Sequence, residues 1–178
     1  TLMDEVGIDV GAKVLKTMRE AYGDRMQIPD SGMTDAFLAE GRIGRKASKG
    51  FYLYEGGESK LSGGQKLVDP GATKHLPGYG TKSPDLAMMG DRLVLALVNE
   101  AAHCLEEGIL REPMAGDLGA IMGIGFPPML GGPLFHADVR GAQRVVDQLR
   151  EYAVAYGQRF EPSALLVRHA ESGTPIHG

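Results

Sequence analysis

Ala21-Tyr-Gly-Asp-Arg-Met26 and Ala155-Tyr-Gly-Gln-Arg-Phe160 are nearly the same hexapeptide. Each closes a helical pattern, and each is followed by a proline, Pro29 or Pro162, and then by a short helical pattern. Reading backward, both long helices contain Gly-Ala near their start, Gly11-Ala12 and Gly141-Ala142, and Leu2-Met3 pairs with Leu134-Phe135. One short match arises by chance. An ordered series implies two copies of one helical unit. The second copy has two helical patterns ahead of the matching portion and the first has none, so the first copy is expected to lack its front half.

The periodicity outside the hexapeptides agrees with a mostly helical chain. Val10, Val14, Met18 and Tyr22 recur every four residues, with Leu15 beside them, which predicts a helix over 10–22 capped by Asp9. Residues 34–40 predict a short helix. Ser83-Pro84-Asp85 combines a capping hydroxyl, a proline suited to the first turn and an acid facing the helix dipole, and so predicts a helix start. That helix is expected to run to Glu107 with Leu86, Leu93, Leu97, Ala101 and Leu105 on its buried stripe, widened by Val94 and Val98. Further helices are expected over 113–122, over 139–156 with Ala142, Val145, Val146, Leu149, Ala153 and Tyr156 inward, and over 162–170. Only 51–54 reads as extended.

The expected organisation is all-α: residues 1–54 as the incomplete first repeat, ending in a Gly-rich loop and an aromatic segment, 55–83 as a linker, and 84–178 as the second repeat. The linker reading rests on many glycines and no period over 55–82. A formal charge of −4 with only 6% aromatic residues argues against a nucleic-acid surface. The single cysteine, Cys104, excludes an internal disulfide and suits a reducing compartment. No run approaches the roughly 20 apolar residues of a membrane span. The first residues lack both the basic start and the apolar run of a signal peptide. A cytoplasmic protein cut from a longer chain is the expectation.

Two motif sets carry a resemblance. Leu2-Met-Asp-Glu-Val-Gly-Ile-Asp-Val-Gly11 with Gly41-Arg-Ile-Gly-Arg-Lys-Ala-Ser-Lys-Gly-Phe-Tyr52 resembles the C-terminal domain of 3-hydroxyacyl-CoA dehydrogenases. Asn99-Glu-Ala-Ala-His-Cys-Leu-Glu-Glu-Gly-Ile109 with Gly123-Ile-Gly-Phe-Pro-Pro-Met-Leu-Gly-Gly132 resembles the second copy of that domain in multifunctional β-oxidation enzymes, above all the α-subunits of fatty-acid oxidation complexes. The resemblance implies a fatty-acid β-oxidation parent in which NAD takes hydride from a 3-hydroxyacyl-CoA to give the 3-ketoacyl-CoA. It implies an upstream NAD-binding domain and an enoyl-CoA hydratase domain; a thiolase subunit is a candidate partner on which the sequence itself is silent. The family's His, Glu, Ser and Asn all map upstream of Thr1, and Asp91 stands where the second copy would repeat the Asn. No catalytic, cofactor-binding or metal-binding residue is therefore expected in this chain. Leu2 and Met3 are expected to line the acyl pocket, and the chain alone is expected neither to bind NAD nor to oxidise substrate.

The residues themselves suggest few other sites. Gly41–Gly50 lacks the Gly-Lys-Ser/Thr ending of a phosphate loop and the strand and helix of a dinucleotide fingerprint. Its cations Arg42, Arg45, Lys46 and Lys49 fit a structural loop that docks Phe51 and Tyr52; as a ligand contact they would mark a free-standing helical binding or scaffold module, the alternative reading. His103 and Cys104 are adjacent, which puts them on different faces of a helix and argues against a shared metal. Cys104 reads as a small hydrophobe. Glu100, Glu106 and Glu107 read as solvated or salt-bridging.

Overall fold

In the computed structural model, which describes residues 1–26, 32–76, 78–80, 83 and 85–178, the chain forms two units, Thr1–Ser83 and Pro84–Gly178. Most of it is helical. Pro29 and Pro84, both used in the sequence reading, lie outside the described residues.

The second unit begins with α5 (Leu86–Glu106), and its cap is Asp85 rather than Ser83: the Asp85 side chain accepts from Met88 N–H at 3.0 Å. α6 (Pro113–Ile124) follows. The expected helix over 139–156 is two helices, α7 (Pro133–Arg140) and α8 (Ala142–Tyr156), broken at Gly141, whose φ of 90° an L-residue rarely adopts. α9 (Ala164–Ser172) is capped by Ser163.

The core of this unit joins Leu95, Val98 and Ala102 of α5 to Leu134 and Ala137 of α7, to Val145, Val146, Leu149 and Tyr152 of α8, and to Phe160, Leu165, Leu166 and Ile176. The inward face of α5 is thus rotated from the expected stripe. Leu86, Leu93 and Leu97 are exposed, whereas Asn99 is buried. The cause is a pair of hydrogen bonds: Asn99 donates to the Glu161 carbonyl at 2.8 Å and accepts from Ser163 N–H at 2.9 Å, which repays its burial. On a helix apolar on several sides, this polar residue helps fix which side turns inward.

The first unit opens with α1 (Leu2–Val6) and α2 (Ile8–Tyr22), separated by Gly7 with φ 111°. Gly7, not Asp9, is the N-cap; Asp9 sits in the first turn and accepts from Lys46 at 2.9 Å. α3 (Met33–Ala39) supplies Phe37, which with Ile8 and Ala72 forms a small core. Val10, Val14 and Tyr22, expected to be inward, are exposed among the described residues.

Residues 55–83, expected as a linker, largely fold within this unit. β1 (Tyr54–Glu55) pairs with β2 (Glu58–Ser59), and β3 (Leu61–Ser62) with β4 (Gln65–Lys66), both antiparallel. Gly56-Gly57 and Gly63-Gly64 make the two turns, all four with positive φ. α4 (Pro70–Thr73) then brings Ala72 into the core. Strands of two residues carry too few side chains to show alternation, so the pattern was invisible in the sequence.

Candidate functional site

Leu2 and Met3, the expected acyl-pocket residues, lie side by side on α1. Leu2 is 74% exposed and Met3 38% exposed. Met3 extends over Gly11, where a Cβ would strike its methyl group. The next residue, Asp4, is wholly buried.

Asp4 is the organising group of the first unit. Its Oδ1 accepts from Phe51 N–H at 2.9 Å, and its Oδ2 accepts from Tyr52 N–H at 3.1 Å and from the Tyr54 hydroxyl at 2.7 Å. Burial, reinforced by Asp4, pushes the Tyr54 hydroxyl well above the ordinary phenol range, so it stays a donor. The aromatic segment is therefore pinned to α1, and the Phe51 ring packs on Phe37 with centroids 4.8 Å apart. Gly44 and Gly50 permit this approach, because a Cβ on either would collide with Asp4.

The cations of the basic loop are engaged within the unit. Arg42, 4% exposed, donates to Glu40 at 2.9 Å, to Asp69 at 2.6 Å and to the Gly50 carbonyl at 3.1 Å. Arg45 donates to Glu5 at 3.2 Å, to Glu58 at 2.7 Å and to the Gly57 carbonyl at 2.6 Å. Lys46 meets Asp9, and Lys49 donates to the Glu40 carbonyl at 2.8 Å. Glu40 gathers Lys74, Arg42 and His75, which together hold its carboxyl at about 2. Burial alone would raise Asp69, but the Arg42 guanidinium and the Gly71 N–H outweigh it and hold the carboxyl below the ordinary range. A phosphate entering this loop would have to displace these carboxylates. The loop is a structural clasp.

In the second unit, Asp91 is held by Arg140 through two guanidinium nitrogens and accepts from the Tyr152 hydroxyl at 2.8 Å. Burial and then Asp91 push Tyr152 up to about 12. Burial opposes the charge of Asp91, yet Arg140 and Tyr152 prevail and lower its carboxyl. With its oxygens spent on internal donors, Asp91 serves as a brace between α5, α7 and α8.

Asp138 on α7 accepts from Ile176 N–H at 2.6 Å through Oδ1 and from His177 N–H at 3.1 Å through Oδ2. The His177 ring bridges Asp138 at 2.8 Å and the buried Asp117 at 2.9 Å. Asp117 in turn accepts from Leu134 and Phe135 N–H at the start of α7. Among the described residues, no three His, Cys, Asp or Glu side chains form a group suited to a metal ion. Cys104 is half-buried, and Glu106 pairs with Arg168 at 2.9 Å.

Sequence reasoning missed Asp4, Asp117 and Asp138, because acids on short helices look like solvated residues. The recoverable signal was Asp-x-x-Gly, present as Asp4…Gly7 and Asp138…Gly141. It also sets the register. The 15-residue helices α2 and α8 both follow a positive-φ glycine, with φ/ψ of 111°/128° at Gly7 and 90°/121° at Gly141. Gly7 and Gly141 are separated by the same number of residues as the two hexapeptides, whereas Gly11 and Gly141 are not.

Residues 1–54 match the family described as 3-hydroxyacyl-CoA dehydrogenase, C-terminal domain. That segment belongs to the family. Across 98% of its length it is 47% identical to the fatty acid oxidation complex subunit alpha of Shewanella halifaxensis, and across 98% it is 43% identical to the protein of that name from Vibrio parahaemolyticus. It spans 24% of the length of each relative. No helix among the described residues is long and apolar enough to cross a membrane.

The Gly41–Gly50 loop does not have the form of a dinucleotide-binding loop. Such a site needs a Gly-rich turn between a strand and a helix N-terminus. Here Gly41–Gly50 follows α3, runs through a 3₁₀ turn at Arg45–Ala47 and enters a hairpin.

Proposed function

We propose that this chain is the C-terminal portion of a multifunctional fatty-acid β-oxidation enzyme, a fatty acid oxidation complex α-subunit. The parent oxidises 3-hydroxyacyl-CoA to 3-ketoacyl-CoA with NAD, and carries NAD-binding and enoyl-CoA hydratase domains ahead of this chain. The chain holds two copies of the family's helical domain, the first lacking its front half. It completes and supports the dehydrogenase site while contributing no group that touches the reacting atoms.

The observation that carries this reading is the matched use of Asp4 and Asp138. Each stands three residues before a positive-φ glycine, and each receives two successive backbone N–H groups from a segment further along the chain. The same offset relates Gly7 to Gly141 and Tyr22 to Tyr156. In the second unit α5 packs with α8 around Tyr156; in the first, Tyr22 at the matching offset on α2 is exposed, as it would be without a counterpart of α5.

Within this reading, Leu2 and Met3 line the acyl pocket, since they are apolar, accessible and carried on a helix that Asp4 anchors. Asp91 is a structural brace at the duplicated position. The parent acts in the cytoplasm and pairs with a thiolase subunit.

The test is oxidation of NADH by acetoacetyl-CoA, with the chain alone, with a separately made upstream portion, and with both. Activity only in the mixture supports the completing role. Activity of the chain alone would show that a catalytic group had been overlooked, and an upstream portion as active alone as in the mixture would remove the need for this chain.

A further inference from the structure

A cleft of about 270 Å³ opens in the second unit beside α5 and the turn after α8, lined by Met89, Arg92, Leu93, Ala96, Arg159 and Phe160. Arg92 lies flat in it. Its guanidinium carbon is 3.6 Å from the Tyr156 ring centroid and 6.0 Å from that of Phe160, while the guanidinium carbon of Arg159 is 4.9 Å from the Phe160 centroid. Two cations thus share one aromatic ledge. Stacking uses the face of a guanidinium and leaves the in-plane N–H groups to donate.

On Arg92 one of those donors is unmet. Arg92 Nε is buried and has no hydrogen-bond partner among the described residues. A buried donor left unmet is destabilising, the more so on a charged group. No carboxylate occurs among the described residues lining the cleft. Asp91, the neighbouring acid in the sequence, is committed to Arg140 and Tyr152. Burial, and then the charge of Arg92, hold Arg159 below the ordinary arginine value, the mark of two like charges pressed together. The remaining wall is apolar, and Leu93 is 69% exposed at its edge.

We propose that this cleft binds an amphiphilic anion, with an oxyanion head donated to by Arg92 and Arg159 and an aliphatic chain laid along Met89, Leu93 and Ala96. The head offsets the repulsion between the two guanidinium groups, and the chain covers the apolar wall. A bare inorganic anion would achieve only the first. A carboxylate and a phosphate monoester share this chemistry, because either matches the guanidinium fork. The site is independent of the β-oxidation reading, since it lies wholly within the second unit and uses none of the residues assigned there.

The experiment is calorimetric titration of the chain with octanoate, octyl phosphate, octanol and inorganic phosphate. Saturable binding of octanoate or octyl phosphate, about tenfold tighter than either octanol or inorganic phosphate, is expected for a site that uses both charge and apolar contact. Whichever of the two binds more tightly identifies the head group. Because Leu93 is exposed, its variants should fold, and since both lose the leucine's apolar contact their charge is read by comparing them: Leu93→Lys should bind several-fold more tightly than Leu93→Glu. Arg92→Met should abolish it. Octanol binding as well as octanoate, inorganic phosphate binding as well as octyl phosphate, or indifference to the charge at position 93 would each overturn the proposal. So would binding that is absent from the full-length parent, because the cleft would then be a surface other domains cover.

Discussion

Asp4 and Asp138 do the same work in the two units: each is a carboxylate on a short helix that accepts two consecutive backbone N–H groups from a distant segment. The partner segments are Phe51-Tyr52 and Ile176-His177, each with an aromatic or branched apolar side chain that the clamp presses onto its own unit. A carboxylate suits this because it accepts only, with two oxygens for the two backbone donors and lone pairs left for a further one. Asp4→Asn keeps the size but turns an NH2 toward an N–H. Hydrogen bonds to a charged acceptor contribute about 1.5–3 kcal/mol each, so Asp4→Asn should destabilise the first unit by about 3 kcal/mol. Asp138→Asn should cost the second unit a similar amount. Urea unfolding of each variant, followed by circular dichroism, checks both; a loss under about 1 kcal/mol would show that water replaces the clamp.

The glycines near these clamps separate two physical causes. At Gly141 a Cβ meets nothing within 4 Å, so Gly141→Ala carries only the backbone penalty of φ 90°. That penalty is about 1–3 kcal/mol. At Gly44, with φ 100°, a Cβ would also run into the backbone of Asp4. Gly44→Ala should therefore cost more than Gly141→Ala by at least about 1 kcal/mol, and should detach the aromatic segment, seen as a shifted Tyr54 signal by NMR.

How much of this was readable in advance depends on what each residue needed from its surroundings. The hexapeptide repeat, the helices and the family were legible because periodicity and spacing are local. The inward face of α5 was not: Leu86, Leu93 and Leu97 look as suitable as Leu95 and Val98 until Asn99 finds Glu161 and Ser163. Residues 54–66 were opaque because two-residue strands leave no alternation. The clamps were hidden because a buried acid differs from a solvated one only in its distant donors.

Acid should loosen the clasp around Glu40. Its carboxyl sits at about 2 in the folded chain against an ordinary 4.5, so its contribution is complete above pH 4.5 and is lost as pH falls toward 2. Asp69, held below the ordinary range beside Arg42, acts in the same direction. The midpoint of thermal unfolding of the first unit should fall steadily between pH 4.5 and about 2, and Glu40→Gln should flatten that fall. An unchanged slope in the variant would mean that other carboxylates carry the acid sensitivity.

Asp91→Asn tests the brace. Asparagine offers Arg140 a neutral partner and leaves a part-buried guanidinium without its charge match. Breaking such a pair costs up to about 3 kcal/mol, less here because both side chains remain about a quarter exposed. The second unit should unfold at lower urea while dehydrogenase turnover of the full-length parent stays unchanged. A selective loss of turnover with stability intact would instead make Asp91 part of the reacting machinery.

Tyr22 offers the sharpest test of the repeat. Tyr156, at the same place in the second hexapeptide, carries the guanidinium of Arg92 on its ring, whereas Tyr22 is 52% exposed. If the first unit is the back half of the same fold, a helix preceding Thr1 in the parent places a cation over Tyr22 as Arg92 lies over Tyr156. A stacked cation contributes about 0.5–2 kcal/mol, to which burial of the ring adds. Tyr22→Ala should then destabilise the full-length parent by about 2 kcal/mol, yet change the stability of the 178-residue chain by under about 0.5 kcal/mol, as for an ordinary surface position. Equal losses in the two proteins would mean that Tyr22 already makes its contacts within this chain, and the two-copy reading would lose its support at α2.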